Sequence, residues 1–99
     1  MDTLVEELRR RFQTIFMALA QGADVPPATG LRTEGMMEAA LLAGQADATR
    51  LDRLMADCYL EATGRTLSAD LGEGWRVNHP FPEIPLWMQR APVVPSTGN

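Results

Sequence analysis

The stretch Met36–Ala43 reads Met-Met-Glu-Ala-Ala-Leu-Leu-Ala and decides the expected fold. At helical spacing it is apolar on nearly every side, with Glu38 as its polar break. A helix of this kind has to be covered all round, and a chain of 99 residues has little material for that. We therefore expect either the central helix of a small bundle or a helix that a second molecule partly covers.

Outward from this stretch, the first helix is predicted from a start signal, an apolar face and a stop signal. Thr3-Leu-Val-Glu6 forms a capping box, in which two side chains satisfy the free N–H groups of a helix start. Gly22 is the expected residue just past the C-terminus. Between them, the apolar residues that repeat at the 3.6-residue period are Leu4, Val5, Leu8, Phe12, Ile15, Phe16 and Leu19.

The second helix contains the deciding stretch and is predicted from Leu31 or Thr33 to Ala43. Its start is placed there because Gly22 to Gly30 is read as an irregular connection, in which the adjacent prolines Pro26 and Pro27 hold the chain extended. Gly35 inside the helix costs about 1 kcal/mol relative to alanine. Such a glycine is also a place where another helix can approach closely.

The third helix is predicted from Asp47 or Thr49 to Thr63, with Gly64 after its end. The short link before it makes the second and third helices an αα-hairpin. We therefore predict an all-α fold with a small three-helix core, followed by one further helical turn near Leu71.

The chain is predicted to divide into a helical core, residues 1–71, and an extended arm rich in Trp and Pro, residues 72–99. Glycines and prolines in the arm exclude long regular elements. Both tryptophans of the protein, Trp75 and Trp87, nevertheless lie there. The arm is expected either to pack across the helices or to reach a partner.

Charge argues against nucleic acid as the main partner. The net charge is −4, whereas phosphate binding needs clustered cations. All nine basic residues are arginine, but Arg9, Arg10 and Arg11 point about 100° apart on a helix and do not form one stripe. A dimeric DNA-binding regulator, in which the dimer concentrates these arginines, remains the alternative function.

Catalytic chemistry finds little support in the residue types. Cys58 and His79 are the only thiol and the only imidazole, and nothing in their spacing forms a dyad. The paired helical carboxylates lack the histidine partners of di-metal sites in helix bundles. We predict no catalytic residues, no cofactor, no metal site and no enzyme activity. A single cysteine and the absence of a signal-like or membrane-spanning run predict a cytoplasmic protein.

Apolar residues outside the predicted core stripes are the signal that remains, because contiguous apolar patches mark interaction sites. The residues predicted for the seam of a homodimer are Met36, Met37, Leu41 and Leu60. The residues predicted to anchor another protein are Trp75, Phe81, Trp87 and Met88, since aromatic side chains dominate binding hot spots. The alternative is that the arm covers these surfaces within one chain.

The predicted function is therefore a non-enzymatic regulator or adaptor that binds another protein through an apolar helical surface. A small, acidic, helical chain without catalytic groups is similar in type to many bacterial regulatory proteins. Antiactivators, anti-sigma-type inhibitors and phage-encoded inhibitors share this profile. The implied partner is another protein, such as a transcription regulator.

Overall fold

The computed structural model describes residues 3–79 and 81–85. Within them the chain forms helices and no strands, which confirms the predicted all-α fold. None of these helices combines the length and the apolar character needed to cross a membrane. The helices are α1 (Thr3–Ala20), α2 (Pro27–Leu42), α3 (Ala48–Thr63), α4 (Leu67–Leu71) and α5 (Trp75–Asn78).

The central helix is α1, not the helix that contains Met36–Ala43. Both α3 and α2 pack mainly on α1, and α3 does so along most of its length. Leu8, Phe12 and Phe16 project from α1 and have no exposed surface. The Phe16 ring meets the Tyr59 ring of α3 edge-on, with centroids 5.4 Å apart. Large side chains on α1 therefore supply the core that the other helices share.

Contacts along the helices give their directions. The Cys58 Sγ lies 3.8 Å from the Arg9 carbonyl oxygen, and the Gln13 amide donates to Glu61 at 3.4 Å. The later residue of α1 contacts the later residue of α3, so α1 and α3 run parallel. The short connection 43–47 joins α2 to α3 as predicted and reverses the chain, which makes an up-down-up bundle.

Helix α2 starts at Pro27, at least four residues earlier than predicted. Pro26 is extended, with φ −60° and ψ 143°, as expected for a residue before proline. Pro27 is the first helical residue, where the missing N–H costs nothing because that position has no intrahelical acceptor. The predicted connection is therefore wrong for residues 27–30, which form the first turn of α2.

The predicted helix ends are confirmed by their glycines. Gly22 and Gly44 have φ of 78° and 72°, a left-handed conformation that glycine adopts without strain. Each closes a Schellman motif, in which the next residue donates back to the last turn. After Gly44, the Gln45 side-chain oxygen accepts from the Leu4 backbone N–H at 3.2 Å. The connection that follows α2 thus supplies an acceptor for the first turn of α1.

The described part of the arm is docked on the helices. Ile84 is fully buried and belongs to the hydrophobic core. Its backbone N–H donates to Glu34 Oε2 on α2 at 2.9 Å. Burial raises the pKa of Glu34, an effect that the hydrogen bond from Ile84 opposes. One carboxylate therefore fixes this part of the arm to α2.

Replacing Glu34 tests this attachment. Glu34→Ala leaves the buried Ile84 N–H without its acceptor, so we expect the free energy of unfolding to fall by about 1–3 kcal/mol in urea denaturation. Glu34→Gln retains an acceptor oxygen and should lose less. Glu38→Ala, exposed on the same helix, is the control and should stay within about 0.5 kcal/mol of the parent. Equal stability of Glu34→Ala and Glu38→Ala would contradict the attachment.

Candidate functional site

The two faces of α2 have different environments. The inner face is turned to the core and buries Gly30, Thr33, Met37 and Ala40. Thr33 is polar but satisfied, because its hydroxyl donates to the Thr29 carbonyl oxygen at 2.8 Å. The outer face of the same helix is exposed, although it too is largely apolar.

A row of small and apolar residues runs along this outer face, and we call it the α2 stripe. Its members are exposed and are spaced three or four residues apart, so they follow one line on the helix. Leu31 is 62% exposed and Leu42 is 83% exposed. About three turns, or about 16 Å, separate these two leucines. The α2 stripe consists of Ala28, Leu31, Gly35, Ala39 and Leu42.

The centre of the α2 stripe is shallow and its borders are charged. A Cβ atom added to Gly35 would meet nothing within 4 Å, so packing inside the chain does not require glycine there. Arg32 and Glu38 are exposed about 60° to either side of Gly35 around the helix axis. The surface is therefore a shallow apolar strip with a positive border and a negative border.

The residues predicted for a dimer seam are separated in the structure. Leu60 lies on α3 and is 46% exposed. Met36 and Leu41 are partly buried against the core. Met37 lies on the inner face of α2 and is fully buried, so its side chain offers no surface to a partner. Met37 is therefore a core residue, and the homodimer itself stays a prediction.

The predicted anchors Trp75 and Phe81 pack around Arg76. The guanidinium carbon lies 4.4 Å from the Trp75 ring centroid and 5.5 Å from that of Phe81, both cation–π distances. Arg76 Nη1 donates to the His79 carbonyl oxygen at 2.6 Å, and Nη2 lies 2.9 Å from Asp52 Oδ1. Both rings thus take part in contacts within the chain.

The pair of Asp52 and Arg76 fixes the arm to α3 at an electrostatic cost. Burial raises the pKa of Asp52, and the positive charge of Arg76 opposes this effect. Burial also lowers the pKa of Arg76. Asp52 is therefore held in its charged form by Arg76, whereas Arg76 is held by Asp52 and by the two flanking rings. Trp87 and Met88, the other predicted anchors, lie outside the described residues.

Cys58 and His79 have separate surroundings. Cys58 is fully buried against α1, and burial raises the pKa of its thiol to about 11. A protonated, enclosed thiol is a poor nucleophile at neutral pH. His79 lies in the arm, with Nδ1 3.8 Å from Glu83 Oε1. In residues 3–79 and 81–85, no three His, Cys, Asp or Glu residues are grouped in a way that could hold a metal ion.

The three consecutive arginines separate as helical spacing predicts. Arg10 and Arg11 both pair with Glu7, the second at 2.9 Å between Nε and Oε2. The hydrogen bonds that Glu7 accepts lower the pKa of its carboxyl group, and the one from Arg10 has the largest effect. Arg9 instead lies on the side of α1 that faces α3. The tripeptide is therefore not one basic patch.

Sequence reasoning missed most of the α2 stripe. It started the helix at Leu31 or Thr33, which left Ala28 outside the helix and Leu31 at its first residue or before it. The available signal was Pro27 as a first helical residue, since Leu31 then falls about three turns before Leu42 on the same face.

The chain matches no protein-family model, no curated protein and no solved structure. Its function is therefore inferred from the geometry and chemistry of the described residues.

Alkylation of Cys58 tests the assignment of this thiol to the core. With a pKa of about 11, only about one thiol in a thousand is ionised at pH 8, and the fraction rises as the pH approaches 11. We expect N-ethylmaleimide to react with native protein at least about 100-fold more slowly than with urea-unfolded protein, as measured by mass spectrometry. His79→Ala should leave the native rate unchanged. Fast native alkylation that His79→Ala slows would instead support a Cys–His dyad.

Proposed function

We propose that this protein is a non-enzymatic regulator or adaptor that binds another protein through the α2 stripe. The observation that supports the proposal is the exposure of Leu31 and Leu42 at the two ends of a row of small residues. Contiguous exposed apolar rows of this kind are typical of interaction surfaces in soluble proteins.

The shape of the α2 stripe favours a helix as the binding element of the partner. Small residues at Gly35 and Ala39 allow a second helix backbone to approach closely, and the leucines at either end pack against its sides. Amphipathic helices bind apolar strips through residues spaced about one turn apart. The proposed partner therefore presents a helix with an apolar face about three turns long.

The charged borders specify the partner further. Arg32 favours an acidic residue on one edge of the bound helix, and Glu38 favours a basic residue on the other. Such border charges add little affinity, but they suppress wrong partners and fix the register of binding. The bound helix is therefore expected to carry opposite charges on its two edges.

Charge substitution in the α2 stripe tests the proposal. Leu31→Glu combined with Leu42→Glu places two carboxylates where apolar contacts are expected, and burying them unpaired is costly. We expect a protein that co-purifies stoichiometrically with the parent to be recovered at least about tenfold less with this variant. Quantitative mass spectrometry of affinity-purified complexes gives the measurement.

Val77→Glu is the matched control, because Val77 is also 83% exposed but lies on α5, away from the α2 stripe. It should retain the partner within about twofold. Loss of the partner with Val77→Glu as well, or its retention by the double variant, would contradict the proposal. Sedimentation velocity tests the alternative that a second copy of the chain covers the α2 stripe. A dimer that the double variant converts to monomer would support this alternative.

Gly35→Ala separates stability from binding. The added methyl group meets open space in the free chain, so helix propensity should raise the free energy of unfolding by about 1 kcal/mol. A partner helix in close contact at Gly35 would be displaced, so its affinity, measured by calorimetry, should fall. Gly74→Ala adds the same group outside the α2 stripe and should leave affinity unchanged. Unchanged affinity with Gly35→Ala would exclude close approach at this glycine.

A further inference from the structure

The described part of the arm bridges two helices that have little direct contact. Both α2 and α3 pack mainly on α1, and they make few contacts with each other. The arm contacts both of them, because Ile84 donates its backbone N–H to Glu34 on α2 and Arg76 pairs with Asp52 on α3. We call residues 75–79 and 81–85 the strap.

At its α2 end, the strap is attached by buried apolar side chains and one hydrogen bond. Ile84 and Pro85 are fully buried, and Ile84 belongs to the core that the helices share. Glu34 accepts from the Ile84 N–H at 2.9 Å and lies one turn before Glu38 on the same edge of α2. The strap is therefore attached to α2 next to the Glu38 border of the α2 stripe.

At its α3 end, the strap is attached through Arg76. The guanidinium Nη2 lies 2.9 Å from Asp52 Oδ1 on α3. Nη1 donates to two carbonyl oxygens of the strap, that of His79 at 2.6 Å and that of Glu83 at 3.5 Å. Arg76 therefore joins α5 to the segment that contains Ile84, and it joins both to α3.

Docking of the strap has an electrostatic cost. Burial raises the pKa of both Glu34 and Asp52, which shows that their charged forms lose hydration. The buried Arg76 Nε–H has no hydrogen-bond acceptor among the described residues. A buried ion pair often returns less free energy than its desolvation costs. We therefore expect the strap to undock at a lower free energy than that of global unfolding.

We propose that docking of the strap regulates the α2 stripe. The docked strap holds α2 in position relative to α3 and keeps the α2 stripe in its binding geometry, whereas release of the strap loosens α2. This inference rests on the binding role proposed for the α2 stripe. The apparent affinity for the partner helix falls in proportion to the docked fraction. Because coupling between two sites is reciprocal, a bound partner also stabilises the docked strap.

Hydrogen exchange of the full chain, followed by mass spectrometry, tests whether the strap holds α2. Ile84→Ala removes the buried attachment at the α2 end, and Arg76→Gln removes the ion pair at the α3 end. We expect both variants to accelerate exchange of α2 amides at least about tenfold more than exchange of α1 amides. The effect of Arg76→Gln is decisive, because the contacts of Arg76 are with the strap and α3 and its loss reaches α2 only through the strap.

Two further variants are the controls for exchange. Ile84→Val keeps most of the buried side chain and should accelerate α2 exchange less than Ile84→Ala. Val77→Glu changes the strap at a position that is 83% exposed, without touching either attachment, and should change α2 exchange less than about twofold. Circular dichroism verifies that each variant remains helical.

Recovery of the co-purifying partner tests the regulatory role. We expect Arg76→Gln to recover at least about fivefold less of the partner that the parent recovers, because the docked fraction is smaller. Val77→Glu should retain the partner within about twofold. Loss of the partner with Val77→Glu would instead indicate direct contact between the strap and the partner, and it would overturn the proposal.

The two readouts fail in different ways. Equal acceleration of exchange in α1, α2 and α3 would show that Ile84 is only a part of the common core, and it would overturn the proposal. Faster α2 exchange with full retention of the partner would leave the strap as a structural attachment and exclude regulation. A parent chain that recovers no partner would contradict the proposed function and its regulation together, while exchange still decides whether the strap holds α2.

Discussion

The fold depends on one ridge of large side chains along α1. Leu8, Phe12 and Phe16 are fully buried, and each apolar side chain of this size contributes about 1.5–3 kcal/mol when it leaves water. Both α2 and α3 pack mainly on this helix. Because α1 and α3 together supply most of the buried apolar side chains, α2 has to bury only one narrow row of its own. The opposite face of α2 is therefore exposed to solvent.

Helix α2 contains more apolar residues than its packing in the bundle requires. Met37 and Ala40 are buried in the core, whereas Leu31 and Leu42 are exposed to solvent on the outer face. A single exposed leucine is ordinary in soluble proteins. Two leucines in line, separated by glycine and alanine, form a surface with a definite shape. Stability of the isolated chain does not explain this arrangement, whereas the protein binding that we propose would explain it.

The sequence predicts those features that depend on neighbouring residues. Helix α1 follows from its apolar period and Gly22, and Asp47 caps α3 by accepting from the Arg50 N–H at 2.8 Å. The start of α2 is predicted incorrectly because two adjacent prolines are compatible both with an extended connection and with a first helical turn. Tertiary contacts decide between these readings, and a local pattern contains no information on them.

The candidate site is harder to predict because the helices that decide which face of α2 is exposed are distant in the sequence. The apolar all-round pattern of Met36–Ala43 indicates either a central helix or a helix that a second molecule partly covers, and the central helix is α1. It does not show which face α1 covers, so Met37 is predicted on the surface although it is buried.

The size of the α2 stripe limits how the proposed interaction can work. One helix face about three turns long offers less than the roughly 800 Å² per partner that a standard interface buries. Its apolar contacts alone therefore predict modest affinity and little discrimination among amphipathic helices. In the proposed interaction, discrimination would come from charge, which Arg32 and Glu38 supply at the borders of the α2 stripe.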